Sequence, residues 1–310
     1  MAKIVVAIGG NALGNNPEEQ KLIVKNTAKH LVDFIEQNND LIIVHGNGPQ
    51  VGMINNGFEV ANKTDEKNPI VDFPECGAMS QGYIGYHLQQ AITNELNIRK
   101  IKKSVASIVT QTLVDKNDLA FKDPTKPIGS FMDEQTAKKM ASLNNWNVKE
   151  DAGRGWRRVI ASPKPISIIE KNMISKLVDD GFILIAAGGG GVPVIEENNF
   201  IQGVAAVIDK DFAAAKIAEL CNADSLIILT AVDRVLINYN KANQSSIKEM
   251  NIKLAEQYIL ENQFASGSML PKVQAAMAFV KSSNGKPAYI GSLDKVAAVL
   301  KGESGTKITK

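Results

Sequence analysis

The chain has 310 residues, 44% of them hydrophobic and 22% charged, a globular composition with enough length for one large or two modest cores. The 35 Lys and Arg against 33 Asp and Glu leave a formal net charge of +2, so no global field favours nucleic acid or a membrane surface. The two cysteines, Cys76 and Cys221, stand far apart with no histidine close by in sequence. That excludes a disulfide framework or a paired-cysteine zinc site, and points to buried free thiols in a reducing compartment.

The opening MAKIVVAIGG reads as a first strand over residues 4–8 and not as a signal peptide, because its short apolar run is broken by glycines. No apolar stretch reaches the length of a membrane span, and a cytoplasmic location is expected. Residues 17–38 read as a helix: Pro17, Glu18 and Glu19 suit its first turn, and Ile23, Leu31, Phe34 and Ile35 supply an apolar face. A short strand over 41–44 ends at HGNGPQVG. The spacing of Ile84, Leu88, Ile92 and Leu96 predicts a helix over 81–97, and a third strand is expected over 105–112. Residues 167–180 read as a helix, and 182–187 as a strand running into four glycines. An alanine-rich helix over 211–221, a strand over 225–230, helices over 252–262 and 269–281, and a strand over 288–290 complete the pattern. Strands separated by helices imply βαβ units and a mostly parallel sheet covered on both faces. The polar stretch 119–165 breaks this rhythm. With four prolines and DAGRGWRRV, it reads as an insertion folding beside the main sheet as a small lid, because Trp146, Trp156 and Val159 need burial.

Ligands of open parallel sheets bind at the carboxyl ends of the strands. Three strands here end in glycine clusters: Gly9-Gly10-Asn11, Gly46-Asn47-Gly48 and the run 188–191. Glycine lets the backbone adopt positive φ and approach a ligand, and successive N–H groups form an anion-binding hollow. No standard nucleotide fingerprint is present. The Walker lysine is missing, and Gly46, Gly48 and Gly52 give GxGxxxG in place of the dinucleotide GxGxxG.

The positive charge must come from elsewhere. Lys126 lies in PTKPIG, Lys210 in AVIDKD just before a helix, and Lys272 in GSMLPK at a helix start where Pro271 suits the first turn. A lysine at a helix N-terminus opposes the macrodipole unless an anion sits there too. Singly, each could be an ordinary surface lysine. Histidine is scarce, with His30, His45 and His87 only. A structural hydrogen bond is expected of His45, before its glycine turn. Few candidate bases fit a carboxylate-like acceptor better than a hydroxyl.

The motifs IGGNAL, HGNGPQVG, MSQGYIGY, PTKPIG, KEDAGRGWRRV, GGGGVPV, AVIDKDFA and GSMLPKV, in this order from Ile4 to about Val280, resemble those of the bacterial carbamate kinases within the wider amino-acid kinase family. The resemblance implies an α/β fold: a three-layer αβα sandwich with a mostly parallel central sheet. An acceptor-binding lobe would span about 1–180 and a nucleotide-binding lobe about 181–310, with the lid at 119–165. It implies reversible phosphoryl transfer between ATP and carbamate with Mg²⁺, usually in a homodimer. It maps phosphate-contacting lysines onto Lys210 and Lys272, the carboxylate that holds them onto Asp209, and the lysine reaching the transferred group onto Lys126. Gly9, Gly10, Asn11, Gly46, Asn47 and Gly48 would cradle the acceptor and its phosphate. Apart from the resemblance, Glu150, Asp151, Arg154 and Arg157 form a mixed-charge cluster in which Arg154 either helps the lid close over substrate or belongs to a solvated face, while Asp151 and Arg157 read as solvated charges. By the resemblance again, Thr230, Asp233, Val235, Tyr239, Met269 and Pro271 would meet the nucleotide. No protein ligand to the metal is expected, because Mg²⁺ keeps waters and rides on phosphates.

Overall fold

The computed structural model describes residues 2–14, 16–144, 146–151, 153 and 155–310, without the side chains of Asn11, Ser130, Ala297 and Leu300. Its centre is an eight-stranded sheet in the spatial order Glu249–Asn251, Thr306–Thr309, Ala288–Ser292, Ser225–Thr230, Lys3–Ile8, Asp40–His45, Ile183–Ile185, Val105–Ser107. Neighbouring strands from Ala288–Ser292 to Val105–Ser107 pair in parallel. Thr306–Thr309 runs antiparallel to Ala288–Ser292, and Glu249–Asn251 follows it in parallel.

The continuous apolar strands are explained by burial on both faces. Side chains alternate across a strand, so Ile4, Val6, Ile8, Leu41 and Ile43 enter one core, with Leu31 and Phe34 of helix Pro17–Glu36 and Ile84, Leu88 and Ile92 of helix Phe73–Ile98. Val5, Ala7, Ile42 and Val44 enter the other core, with Ala213, Ala214 and Ile217 of helix Lys210–Leu220 and Val273, Ala276 and Val280 of helix Met269–Ser282. This is the expected αβα sandwich. Helix Pro17–Glu36 starts where Asn16 Oδ1 accepts the N–H groups of Glu18 and Glu19 at 3.1 and 2.9 Å, with Pro17 in the first turn. Cys76 and Cys221 are buried and free. Among the described residues no helix is long and apolar enough to cross a membrane.

Two local expectations are corrected. The single strand over 105–112 is two strands, Val105–Ser107 in the main sheet and Gln111–Val114 in a separate four-stranded sheet. Between them the Thr110 N–H and hydroxyl find partners outside any strand ladder. Its N–H donates to Gln81 Oε1 at 2.8 Å, its hydroxyl donates to the Ile108 carbonyl at 2.8 Å, and that hydroxyl accepts the Ala187 N–H at 2.9 Å. The helix over 167–180 begins only at Lys171, because Pro165–Ile168 pairs with Gln111–Val114. The stretch after Asn47, which the sequence left without an element, is the helix Gly48–Thr64.

The insertion is an antiparallel sheet, Lys126–Met132, Trp156–Ile160 and Asn147–Glu150 in spatial order, with helix Glu134–Asn144. Ile128 and Ile160 seat it on Val51, Phe73 and Cys76 of the body. The Arg158 guanidinium lies 4.6 Å from the Trp146 ring centre and 5.0 Å from that of Phe73. Gly52 allows the close approach, since a Cβ there would sit 3.3 Å from the Gly129 nitrogen.

Candidate active site

A cleft of about 860 Å³ opens at the carboxyl ends of Lys3–Ile8, Asp40–His45 and Ser225–Thr230, between the body and the insertion. Gly9, Gly10, Gly46, Asn47 and Gly48 line it. Asn11 belongs to the 3₁₀ turn Gly10–Ala12, and its side chain lies outside the described residues. The first two clusters do not use glycine for left-handed backbone. Gly9 has φ −82°, and none of Gly10, Gly46 and Gly48 has positive φ. A Cβ on Gly10 or Gly48 would meet no atom within 4 Å and would project into open space, whereas one on Gly46 would press on Lys210 Cδ at 3.2 Å. Of the three clusters, the third is the one with left-handed backbone: Gly189, Gly190 and Gly191 have φ 67°, 98° and 86°. That cluster is buried against His45, Asn47, Ile208 and Thr112, and of it only Gly189 reaches the cleft. It is chiefly a packing turn.

The three lysines converge on the cleft from separate elements. Asp209 caps helix Lys210–Leu220, its Oδ1 accepting the Asp211 N–H at 2.9 Å, so Lys210 and Asp211 occupy the first turn. Lys210 Nζ lies 2.5 Å from Asp211 Oδ1, and Lys272 Nζ, arriving from helix Met269–Ser282, lies 2.8 Å from Asp211 Oδ2. Lys126 Nζ reaches down from the insertion to Asp209 Oδ2 at 2.9 Å. The expectation that Asp209 holds Lys210 and Lys272 is thereby corrected: Asp211 bridges those two, and Asp209 holds Lys126. The sequence carried a signal for Asp211, since a carboxylate in a helix's first turn suits the macrodipole and offsets the lysine beside it.

Asp211 is 3% exposed. Burial opposes its ionisation, yet Lys210 and then Lys272 outweigh burial and hold its carboxyl below the usual range. Burial likewise pushes the Lys210 ammonium down. Asp211 opposes that shift, and Lys272 adds to it by repulsion.

Of the remaining expected residues, Thr230 and Pro271 line the cleft. Val235 is fully buried in the core, and Met269 packs partly against that core. Asp233 pairs with Lys295, and Tyr239 is exposed, both away from the cleft lining. Arg154 lies outside the described residues. Arg157, which the sequence suggested was a solvated charge, lines the cleft. It pairs with Asp151 at 3.0 Å and donates to the Gly129 carbonyl at 3.1 Å. Helix Gly48–Thr64 adds Gln50, Met53 and Asn56 to the cleft wall. Among the described residues no group of three or more His, Cys, Asp or Glu is placed to hold a metal ion.

The sequence model of the amino acid kinase family matches residues 2–292. The carbamate kinase of Clostridium perfringens is 54% identical, over 99% of this chain and 100% of its own length. A carbamate kinase-like protein of Escherichia coli is 52% identical, over 99% and 98%. The solved carbamate kinase of Giardia lamblia bound to AMP-PNP superposes with a TM-score of 0.92 at 39% identity, covering 100% of this chain and 98% of that one. A UMP kinase of Bacillus anthracis, at 15% identity and a TM-score of 0.52, shares the fold alone. The chain belongs to the amino acid kinase family, on its carbamate kinase branch.

Proposed function

We propose that the chain transfers a phosphoryl group reversibly between ATP and carbamate, and that Lys126, Lys210 and Lys272 stabilise the group in flight. The observation that carries this reading is the gathering of three ammonium groups by Asp209 and Asp211 beside the Gly9–Gly10 and Gly46–Gly48 turns. The transferred phosphoryl spreads its charge over its equatorial oxygens, so catalysis is mostly positioning and electrostatic stabilisation. In the cleft Lys126, Lys210, Lys272 and Arg157 outnumber Asp209 and Asp211, which favours bringing two anions together. Carbamate is already anionic, so no general base is needed.

Lys210 and Lys272 share one buried carboxylate and stay fixed in the body. Lys126 comes from the insertion and can follow the group as it crosses. We place the acceptor on the side of residues 1–180, at the Gly9–Gly10 and Gly46–Gly48 turns, and the nucleotide on the side of residues 181–310, near Thr230 and Pro271. With Asp209 and Asp211 engaged by lysines, a Mg²⁺ ion would be held by the nucleotide phosphates. When bound it supplies further neutralisation of their charge. On the strength of the resemblance we assign the physiological direction as ATP formation during arginine breakdown, in a cytoplasmic homodimer.

The test is ATP formation from ADP and carbamoyl phosphate by the purified protein, beside ATP consumption with N-acetylglutamate and with UMP. Turnover with carbamoyl phosphate alone is expected. Turnover with either other acceptor, or tight binding without turnover, would overturn the assignment.

A further inference from the structure

His45 ends strand Asp40–His45, is fully buried, and has no place in the chemistry above. Its Nδ1 lies 2.9 Å from the Gly46 carbonyl oxygen, and its Nε2 has no partner. The Nε2 edge of the ring packs on Gly188, where even a Cβ would collide with it. Burial holds the imidazole neutral, with its pKa lowered to about 4. A neutral imidazole has one N–H, and a carbonyl oxygen only accepts. The hydrogen therefore sits on Nδ1 and is donated to Gly46, while bare Nε2 faces the glycine.

That hydrogen bond acts on a peptide of the cleft. The Gly46 N–H is held by the Ile8 carbonyl at 3.2 Å, and its carbonyl is held by His45, so the residue is pinned at both ends. The Gly46–Asn47 peptide is trans, and in a planar trans peptide the N–H points opposite to the C=O. With the carbonyl turned back toward buried His45, the Asn47 N–H is turned away from it, on the turn that lines the cleft. Among the described residues it makes no backbone hydrogen bond within the protein. The Lys210 side chain lies beside the same turn, where a Cβ added to Gly46 would meet its Cδ at 3.2 Å. On the other side, Asn47 Nδ2 donates to Ser80 Oγ at 2.8 Å, which commits the side chain and leaves the backbone N–H as the group offered.

We infer that His45 is a positioning residue of the phosphoryl-transfer site: its Nδ1–H fixes the Gly46 carbonyl and so aims the Asn47 amide at the anion beside Lys210. This rests on the reaction proposed above. A ring that merely filled space would need no particular nitrogen.

Two substitutions separate the cases. His45→Asn places an amide N–H close to where Nδ1 stood, and His45→Gln moves it to the position of Nε2. Steady-state ATP formation is measured with ADP and carbamoyl phosphate varied separately. His45→Asn is expected to keep kcat within about threefold. His45→Gln is expected to lose on the order of 10²-fold, the scale of one lost preorganised donor, with the KM for ADP unchanged. Equal losses in both variants, no loss in either, or a loss confined to the KM for ADP would overturn the inference.

Nitrogen-15 NMR of the unsubstituted protein supplies a readout independent of turnover and of how the variants fold. A neutral Nδ1–H tautomer is expected throughout pH 6–8, with a shift of the Asn47 amide on adding inorganic phosphate. An Nε2–H tautomer, or an Asn47 amide indifferent to phosphate, would refute the positioning role. Absence of ATP formation by the unsubstituted protein, with the NMR result intact, would count against the reaction and leave the geometry of His45 standing.

Discussion

Replacing Asp211 with asparagine preserves the shape of the side chain and removes the charge that Lys210 and Lys272 share. Asp211 is 3% exposed, with ammonium nitrogens at 2.5 and 2.8 Å on its two oxygens. Removing one partner from a buried ion pair costs about 3–5 kcal/mol, because the remaining charge stays buried without compensation. For a chain of this size roughly 2 °C of melting temperature accompanies each kcal/mol, so Asp211→Asn should lower Tm by about 6–10 °C. Asparagine accepts at one atom only, so the two lysines would separate and the preorganised pair would be lost. A rate loss on the order of 10²–10³ in kcat is expected. The loss should also become pH-dependent. Without Asp211, burial and Lys272 together push Lys210 further toward neutrality, so activity should fall as the pH is raised. Differential scanning fluorimetry and a kcat–pH profile read both effects. A Tm within about 2 °C of the unsubstituted protein, together with unchanged kcat, would show that the lysine–carboxylate triad is neither buried nor organised in the way described.

Lys126 gives the opposite combination. Its side chain is 41% exposed, so its ion pair with Asp209 contributes no more than about 1 kcal/mol. Lys126→Ala should leave Tm within about 2 °C while lowering kcat on the order of 10²–10³-fold; retained turnover would remove Lys126 from the reaction. His45 predicts a pH dependence of stability. Its pKa is lowered from 6.5 to about 4 by burial, so between those values the unfolded chain holds a proton that the folded chain does not. Stability therefore falls as pH drops from 6.5 toward 4, by about 3 kcal/mol for this group. The urea midpoint of the unsubstituted protein should fall more steeply over that range than that of His45→Asn, and parallel curves would refute the burial of a neutral imidazole.

The sandwich was legible in the sequence because strand stretches such as 4–8 and 226–229 are apolar without interruption, and only burial on both faces calls for that. Helix Gly48–Thr64 escaped notice because three glycines and three asparagines dilute its apolar face. The local cues are Pro49 in the first turn and Lys63 in the last. The break at Thr110 was hidden for another reason: its partners, Gln81 and Ala187, are remote in sequence and leave no trace in local spacing. The site followed the same division. Lys126, Lys210 and Lys272 stood out through their settings beside prolines and helix starts. Which carboxylate each would meet depended on how the helix turns after Asp209, and the resemblance assigned to Asp209 a task that belongs to Asp211. Val235 and Tyr239 follow Thr230 closely in sequence, but the chain leaves the strand after Thr230, and Val235 turns into the core while Tyr239 reaches the surface.

The convergence of fixed ammonium groups on a migrating phosphoryl is tested most directly by Lys210→Ala in the coupled ATP-forming assay with ADP and carbamoyl phosphate. A fall in kcat on the order of 10²–10³-fold, with the fold retained by circular dichroism, is the predicted result. Turnover close to that of the unsubstituted protein would contradict it.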